Sequence, residues 1–342
     1  MKKDIFVKYW MNKKFKNLFL SELAWSGGCL LYLKNYIMQA QTENKNENKK
    51  QKIVPFLWFA DNAEEAVNFY TSCFKNSKIK FTNYYDEASA KASGQAEGSV
   101  LTVSFQLNRQ EFIALNGGPV FNFTPAVSFF VTCETENELD ELWEKLLING
   151  KVLMKLDVYP FSKKYGWVED KFGLSWQLNL TGDKQKINPL LMFTGKQTGK
   201  AEEAIHFYTS LFENSEVTNI FHYGVDQKEN EGNVMHAKFL LDGEEFMAMD
   251  SGVKHDFTFT PAVSFFVYCD TQKEIDYFWE KLTDGGKEVE CGWLEDKYGV
   301  SWQIVPAKMF SLLNNPDKER AKSAMKAMMK MKKLDIKTLE EA

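Results

Sequence analysis

The sequence predicts an α+β protein of two tandem domains, each made of two βαβββ units, and three observations predict it. The nonapeptide Phe-Thr-Pro-Ala-Val-Ser-Phe-Phe-Val stands at 123–131 and again, letter for letter, at 259–267. An identity of that length marks a duplication. The residues after each copy also repeat: Leu139, Trp143, Glu144, Lys145, Leu146 and Gly150 after the first, Ile275, Trp279, Glu280, Lys281, Leu282 and Gly286 after the second. The nonapeptide reads as a Thr-Pro turn and an apolar, aromatic strand, and its sequel has helical period. Finally, the pattern restarts as a whole. Ile187–Phe193 matches Ile53–Phe59, Gly232–Gly252 matches Gly98–Gly118, and Trp293–Gln303 matches Trp167–Gln177.

With 342 residues, a formal charge of -5 and 44% apolar residues, the chain has room for two buried cores. Arg109 and Arg320 are the two arginines, which argues against an arginine-built surface for nucleic acid. Cys29, Cys73, Cys133, Cys269 and Cys291 are odd in number and form no Cys-x-x-Cys pair. They read as reduced core thiols of a cytoplasmic protein.

Residues 1–52 carry 11 lysines against 4 acids, about +7, so the remaining chain is near -12. The apolar stretch 18–33 contains Glu22 and falls short of the roughly 20 apolar residues of a membrane span. It reads as a leader, an unstructured extension or a start placed too early, with Met38 as the alternative start. Residues 41–52 form a polar linker.

The first domain, 53–180, opens on a strand at Ile53–Phe59, with Pro55 near its start, where a missing donor costs least. Asp61 or Asn62 is expected to cap a helix whose apolar face is Ala63, Ala66, Val67, Tyr70 and Phe74. Strands are expected at 79–85, 100–107 and 111–115. The nonapeptide begins the second unit, with a helix over 136–149 and strands near 151–156, 166–169 and 174–178. About ten extra residues around Lys155–Lys164 lengthen one hairpin relative to the later copy. Residues 181–186 are a linker, and 187–305 repeat the domain. The tail, 306–342, starts a helix at Asn315-Pro316-Asp317 and carries an apolar stripe of Ala321, Ala324, Met325, Met328, Met329 and Leu334. It is expected to dock on the chain's own domains, with a partner site as the alternative.

Three segments carry a resemblance: Trp58–Tyr70, Glu111–Gly118, and the Gly-Trp-x-x-Asp-Lys-x-Gly-x-Ser-Trp-Gln of Gly166–Gln177 and Gly292–Gln303. They resemble the PhnB-like family, whose members are often labelled 3-demethylubiquinone-9 3-methyltransferase. It belongs to the vicinal oxygen chelate superfamily with glyoxalase I and bleomycin-resistance proteins. The resemblance covers about 53–180 and 187–342 and implies a half-open barrel formed by paired βαβββ units around a pocket. Metal-dependent members hold an ion there with four ligands. The matching positions are Val54, Ala114, Ala126 and Gln177 in the first domain, and Asn188, Ala248, Ala262 and Gln303 in the second. Neither set offers a thiolate, imidazole or carboxylate, so no metal is expected. No Gly-rich strand-to-helix turn suits a Rossmann-type methyltransferase, and no cofactor is expected. Single-domain relatives pair as homodimers, so the duplication implies a monomeric pseudo-dimer or a homodimer.

Strand alternation selects the pocket-facing residues. They include Phe56, Trp58, Thr102, Ser104, Asn116, Ser128, Phe130 and Gln177 in one domain. Met192, His236, Asp250, Ser264, Phe266 and Gln303 are among those of the other. Such a lining suits a small hydrophobic or aromatic ligand. His236 and Asp250 fall on neighbouring strands, where a carboxylate could orient an imidazole as a general base, so they are the candidate catalytic pair. Trp167 and Trp293 read as lids or as packing anchors, and the shared Glu-Asp-Lys as solvated turn charge. The expected function is a metal-free binder of a small molecule, with no nucleic acid and no membrane span. The alternative is an enzyme of the superfamily, a lyase, isomerase or dioxygenase.

Overall fold

The computed structural model describes residues 51–342 except 87, 88, 91–93, 227–230 and 314. The leader and alternative-start readings of the N-terminal extension lie outside the described residues. Gln51 and Lys52, expected in the linker, instead belong to the fold. The Gln51 side-chain oxygen accepts from Glu111 N at 2.8 Å, and Lys52 Nζ lies 2.5 Å from Glu274 Oε1.

Residues 53–306 form four successive βαβββ units. The first is β1 (Ile53–Phe59), α1 (Ala63–Cys73), β2 (Lys78–Tyr84), β3 (Val100–Leu107) and β4 (Gln110–Asn116). The second is β5 (Val127–Cys133), α2 (Glu136–Leu147), β6 (Lys151–Tyr159), β7 (Ser162–Glu169) and β8 (Ser175–Leu180). The third is β9 (Lys186–Phe193), α3 (Ala201–Leu211), β10 (Glu216–His222), β11 (Val234–Leu241) and β12 (Glu244–Asp250). The fourth is β13 (Val263–Cys269), α4 (Gln272–Thr283), β14 (Lys287–Glu288), β15 (Trp293–Glu295) and β16 (Ser301–Pro306). The tail adds α5 (Met309–Leu313), α6 (Lys318–Met328) and α7 (Ile336–Glu341).

The units assemble into two mixed eight-stranded sheets, and each sheet takes its two units from different halves of the chain. The order in the first sheet is β14-β15-β16-β13-β1-β4-β3-β2, uniting the first and fourth units. In the second it is β10-β11-β12-β9-β5-β8-β7-β6, uniting the second and third. The seams are antiparallel. Phe56 on β1 stands opposite Ser264 on β13, and Ser128 on β5 opposite Leu190 on β9.

The repeated nonapeptide supplies β5 and β13, next to these seams. Phe129 and Val131 on β5, and Phe265 and Val267 on β13, enter the main core beneath the helices. Phe130 and Phe266 enter separate clusters on the opposite faces. A strand buried on both faces reads as a continuous apolar run, as observed.

The main core holds together the two units of each half of the chain. Tyr70 on α1 packs on Trp176 of β8 with ring centroids 5.4 Å apart, and Phe112 on Phe129 at 5.3 Å. The second half repeats both contacts, Tyr208 on Trp302 at 5.4 Å and Phe246 on Phe265 at 5.3 Å. The duplicated halves are thus helix-lined cores, whereas the sheets and their outer faces are shared between them.

Helix starts show why some polar residues are where they are. Thr135 caps α2, and Thr271 with Glu274 forms a capping box on α4. Helix α1 receives no cap from Asn62, contrary to expectation, and α3 none from Lys200. Asn116 Oδ1 accepts from Ala63 N at 2.8 Å, and Asp250 Oδ1 from Gly199 N at 2.6 Å and Ala201 N at 3.3 Å. The last residues of β4 and β12 therefore cap helices far away in sequence.

Candidate functional site

On the face of the first sheet opposite the helices, β1 presents Val54, Phe56 and Trp58, β13 presents Phe266, and β15 presents Trp293. The rings interlock edge to face. Trp293 lies 5.6 Å from Phe56 and 5.8 Å from Trp58, centroid to centroid. Trp58 is fixed by donating Nε1–H to Gly118 O at 2.8 Å. Gly117 makes room for it, since a Cβ there would lie 2.2 Å from the indole.

The tail closes over this face, as expected. Met309, Leu334 and Leu339 join the buried cluster with Val54, Phe56 and Ile113. The backbone N–H groups of Cys291 and Gly292 donate to Met331 O and Lys332 O, each at 2.7 Å. Between sheet and tail remains a cavity of about 380 Å³, walled by Phe56, Trp58, Phe266, Trp293 and the methionines of α6. Thr102, Asn83 and Gln303 supply polar atoms to its wall.

The corresponding face of the second sheet is filled differently. Phe130, Tyr165, Leu190, Met192 and Met247 pack together there, and the long β6–β7 hairpin brings Tyr159 and Phe161 onto Tyr165. Gln177 is engaged at both ends. Its Oε1 accepts from Tyr165 OH at 2.8 Å, and its Nε2 donates to Ser128 Oγ at 2.9 Å. Gln303 Nε2 likewise donates to Ser264 Oγ at 3.0 Å, but Cys291 occupies the place of Tyr165.

The anticipated site residues thus divide into three groups. Phe56, Trp58, Ser264, Phe266 and Gln303 share the first sheet's outer face, while Ser128, Phe130, Gln177, Met192 and His236 share the second's. Each set combines residues from both halves of the chain. Asn116 and Asp250 are on neither face, which corrects the alternation assigned to β4 and β12. Both lie on the helix side, where Asn116 Nδ2 also donates to Val100 O and Asp250 Oδ2 accepts from Val234 N. Phe56 stands beside Ile113 in the parallel β1–β4 register, so Ile113 and Leu115 face the cavity side instead.

His236 and Asp250 consequently do not meet as base and orienter. His236 pairs with no carboxylate of β12's buried side; it faces Phe130, with centroids 6.3 Å apart. Burial, with Lys238 adding to it, pushes its pKa down to about 4, so the ring is neutral at pH 7. Asp250 is pushed up by burial, opposed by its backbone N–H bonds.

The aspartates of Glu-Asp-Lys, expected to be solvated, are buried. Asp296 accepts from Tyr208 OH at 2.7 Å, Trp302 Nε1 at 2.9 Å, and the backbone of Tyr298 and Val300. Burial raises its pKa to about 6. Asp170 holds Trp176 Nε1 at 2.8 Å and the N–H groups of Phe172 and Leu174. These aspartates are structural anchors, each fixing a turn to a feature that both copies share, the Trp of Ser-Trp-Gln.

Among the described residues, no three His, Cys, Asp or Glu side chains gather as a metal ion would require. No helix among them is long and apolar enough to cross a membrane. Cys73, Cys133, Cys269 and Cys291 are free thiols.

The residue pattern described as 3-demethylubiquinone-9 3-methyltransferase matches residues 51–179 and again 185–305. The chain belongs to that family. This 3-demethylubiquinone-9 3-methyltransferase family member is similar to several solved structures. A putative member from Bacillus cereus, named PhnB protein, is 50% identical over 38% of this chain and 100% of its own, with a TM-score of 0.36. A protein from Staphylococcus aureus is 35% identical over 39% of this chain and 97% of its own, with a TM-score of 0.17. A glyoxalase I mutant from Zea mays is 13% identical over 76% of this chain and 95% of its own, with a TM-score of 0.48. Among curated proteins none matches the chain.

Proposed function

We propose that this chain binds a small, largely apolar or aromatic molecule in the cavity of the first sheet, without a metal, as a monomeric pseudo-dimer in the cytoplasm. The observation that carries the reading is the cavity of about 380 Å³ whose walls are Phe56, Trp58, Phe266 and Trp293. Ligand sites are concave and mostly apolar, with a few placed polar groups, and this one combines aromatic faces with Thr102, Asn83 and Gln303. The donor chemistry supports binding without an ion. Gln177 and Gln303 are neutral amides already bonded to serines, and such amides are weaker ligands for a transition metal than thiolate, imidazole or carboxylate. The seams β1–β13 and β5–β9 join the halves within one chain, which supports the pseudo-dimer.

Native mass spectrometry of the purified full chain tests the reading. The expected result is one chain per particle that takes up one equivalent of a naphthalene-sized probe, with no retained metal. A stoichiometric divalent ion surviving chelator treatment, or failure to take up any such probe, overturns it.

A further inference from the structure

The two outer faces are copies of one design, so each polar group on one has a reference on the other. On the second sheet, Gln177 Oε1 accepts from Tyr165 OH at 2.8 Å and Trp167 Nε1 donates to Ser175 Oγ at 2.6 Å. Trp167 and Gln177 are direct cross-strand partners, as are Trp293 and Gln303 on the first sheet. There the tyrosine is replaced by Cys291. Gln303, only 4% exposed, spends its Nε2 on Ser264, and its Oε1 has no hydrogen-bond partner among the described residues. The Trp293 indole N–H has none among them either, and both residues line the cavity. Both atoms keep access to the cavity, so a polar group of a ligand can reach them.

Resting on the binding role proposed above, we infer that the ligand is a hydroxylated aromatic, its ring held among Phe56, Trp58, Phe266 and Trp293 and its hydroxyl donating to Gln303 Oε1. A phenolic hydroxyl takes the role that Tyr165 plays on the other sheet, in the cavity that Cys291 and Gln303 both line. The same hydroxyl oxygen can accept from the neighbouring Trp293 N–H. An amide oxygen distinguishes a donor from an acceptor, so the site selects a hydroxyl over an ether or ketone of the same size.

The test compares 2-naphthol, 2-methoxynaphthalene and 2-acetylnaphthalene on the intact chain, by isothermal titration and quenching of tryptophan fluorescence. The expected result is that 2-naphthol binds about fivefold or more tighter than either analogue, although it is the least apolar of the three. In Gln303→Leu that preference is lost, the ratio of 2-naphthol to analogue affinity falling to about one or below. Equal affinity for all three, or preference for the ketone, overturns this inference and leaves the binding role standing. If none of the three binds, the binding role falls and this inference with it.

Discussion

Tyr165 donates its hydroxyl to Gln177 Oε1 at 2.8 Å, a bond with no counterpart at Gln303 on the other outer face. The bond lies within a packed cluster where burial pushes the Tyr165 pKa up and keeps the hydroxyl protonated as a donor. Cys291 stands at the tyrosine's place in the repeat with a φ of 59°, and the tail's methionines and Leu334 line the cavity with it. The shorter hairpin, the Cys291 position and the tail together leave the Gln303 amide facing a cavity, whereas its counterpart Gln177 is structural.

Gln177→Leu should therefore destabilise the protein more than Gln303→Leu. The first leaves Tyr165 OH and Ser128 Oγ without partners; the second leaves only Ser264 Oγ. Each stranded buried group costs about 1–3 kcal/mol, so a gap of at least about 1 kcal/mol is expected. Urea denaturation of both variants reads it directly. Equal losses would show that Tyr165 contributes nothing through this bond.

Asp250→Ala should loosen the start of α3 and leave the cavity intact. It removes the acceptor of Gly199, Ala201 and Val234 N–H groups and a negative charge placed at a helix N-terminus. With two buried N–H groups stranded at about 1–3 kcal/mol each, a loss of about 2–6 kcal/mol is expected, together with faster amide exchange at Ala201 and Ala204. Naphthol affinity should stay within about twofold, because Asp250 lies on the far side of its sheet. A larger change in affinity would return Asp250 to the candidate site.

Asp296 makes stability depend on pH. Its pKa is raised to about 6 by burial, opposed by the Tyr208 and Trp302 hydrogen bonds. The unfolded carboxyl titrates at about 3.9, so the native state binds the proton more tightly than the unfolded chain. Its stabilising contribution is complete below the unfolded pKa and is lost as pH rises through about 6. Comparing the parent chain with Asp296→Asn isolates this group from the other carboxylates. The parent's stability relative to the variant should rise as pH falls from 7 to 4, and a difference independent of pH would refute the assignment.

Most of the fold was legible because it is local. The nonapeptide, the Trp-Glu-Lys-Leu helix and the Ser-Trp-Gln strand each declare their structure through their own residues, and most outer-face residues followed from alternation. Three features depend on partners distant in sequence. β1 could have paired with β5 or β13 on equal terms, since both strands begin with Val-Ser-Phe-Phe-Val. The duplication itself hid which halves share a sheet. On β4, Phe112, Ile113, Ala114 and Leu115 are apolar on both faces, so alternation carried no direction until the parallel register with β1 was known. Asp170 and Asp296 looked solvated because acids in turns usually are. Their burial comes from the indoles of Trp176 and Trp302, and from Tyr208 arriving on a helix of the other sheet.

The tail should open before the sheets unfold. Leu334 is 1% exposed and packs against Gly292, where a φ of +85° and a Leu334 carbon 2.9 Å from a would-be Cβ leave no space for another side chain. Removing its side chain in Leu334→Ala costs about 2–5 kcal/mol at a fully buried site. The loss falls first on the segment holding least of the core, because α6 buries only Ala324 and the residues after it are tied to the turn before β15 through the Met331 and Lys332 carbonyls. Trypsin should then cut at Lys330, Lys332 or Lys333 at least about tenfold faster than in the parent chain, while the urea midpoint followed by far-ultraviolet circular dichroism changes little. Naphthol should dissociate faster from the same variant, as its cavity loses part of a wall. Unchanged proteolysis with a lowered global midpoint would mean that the tail and sheets unfold as one cooperative unit.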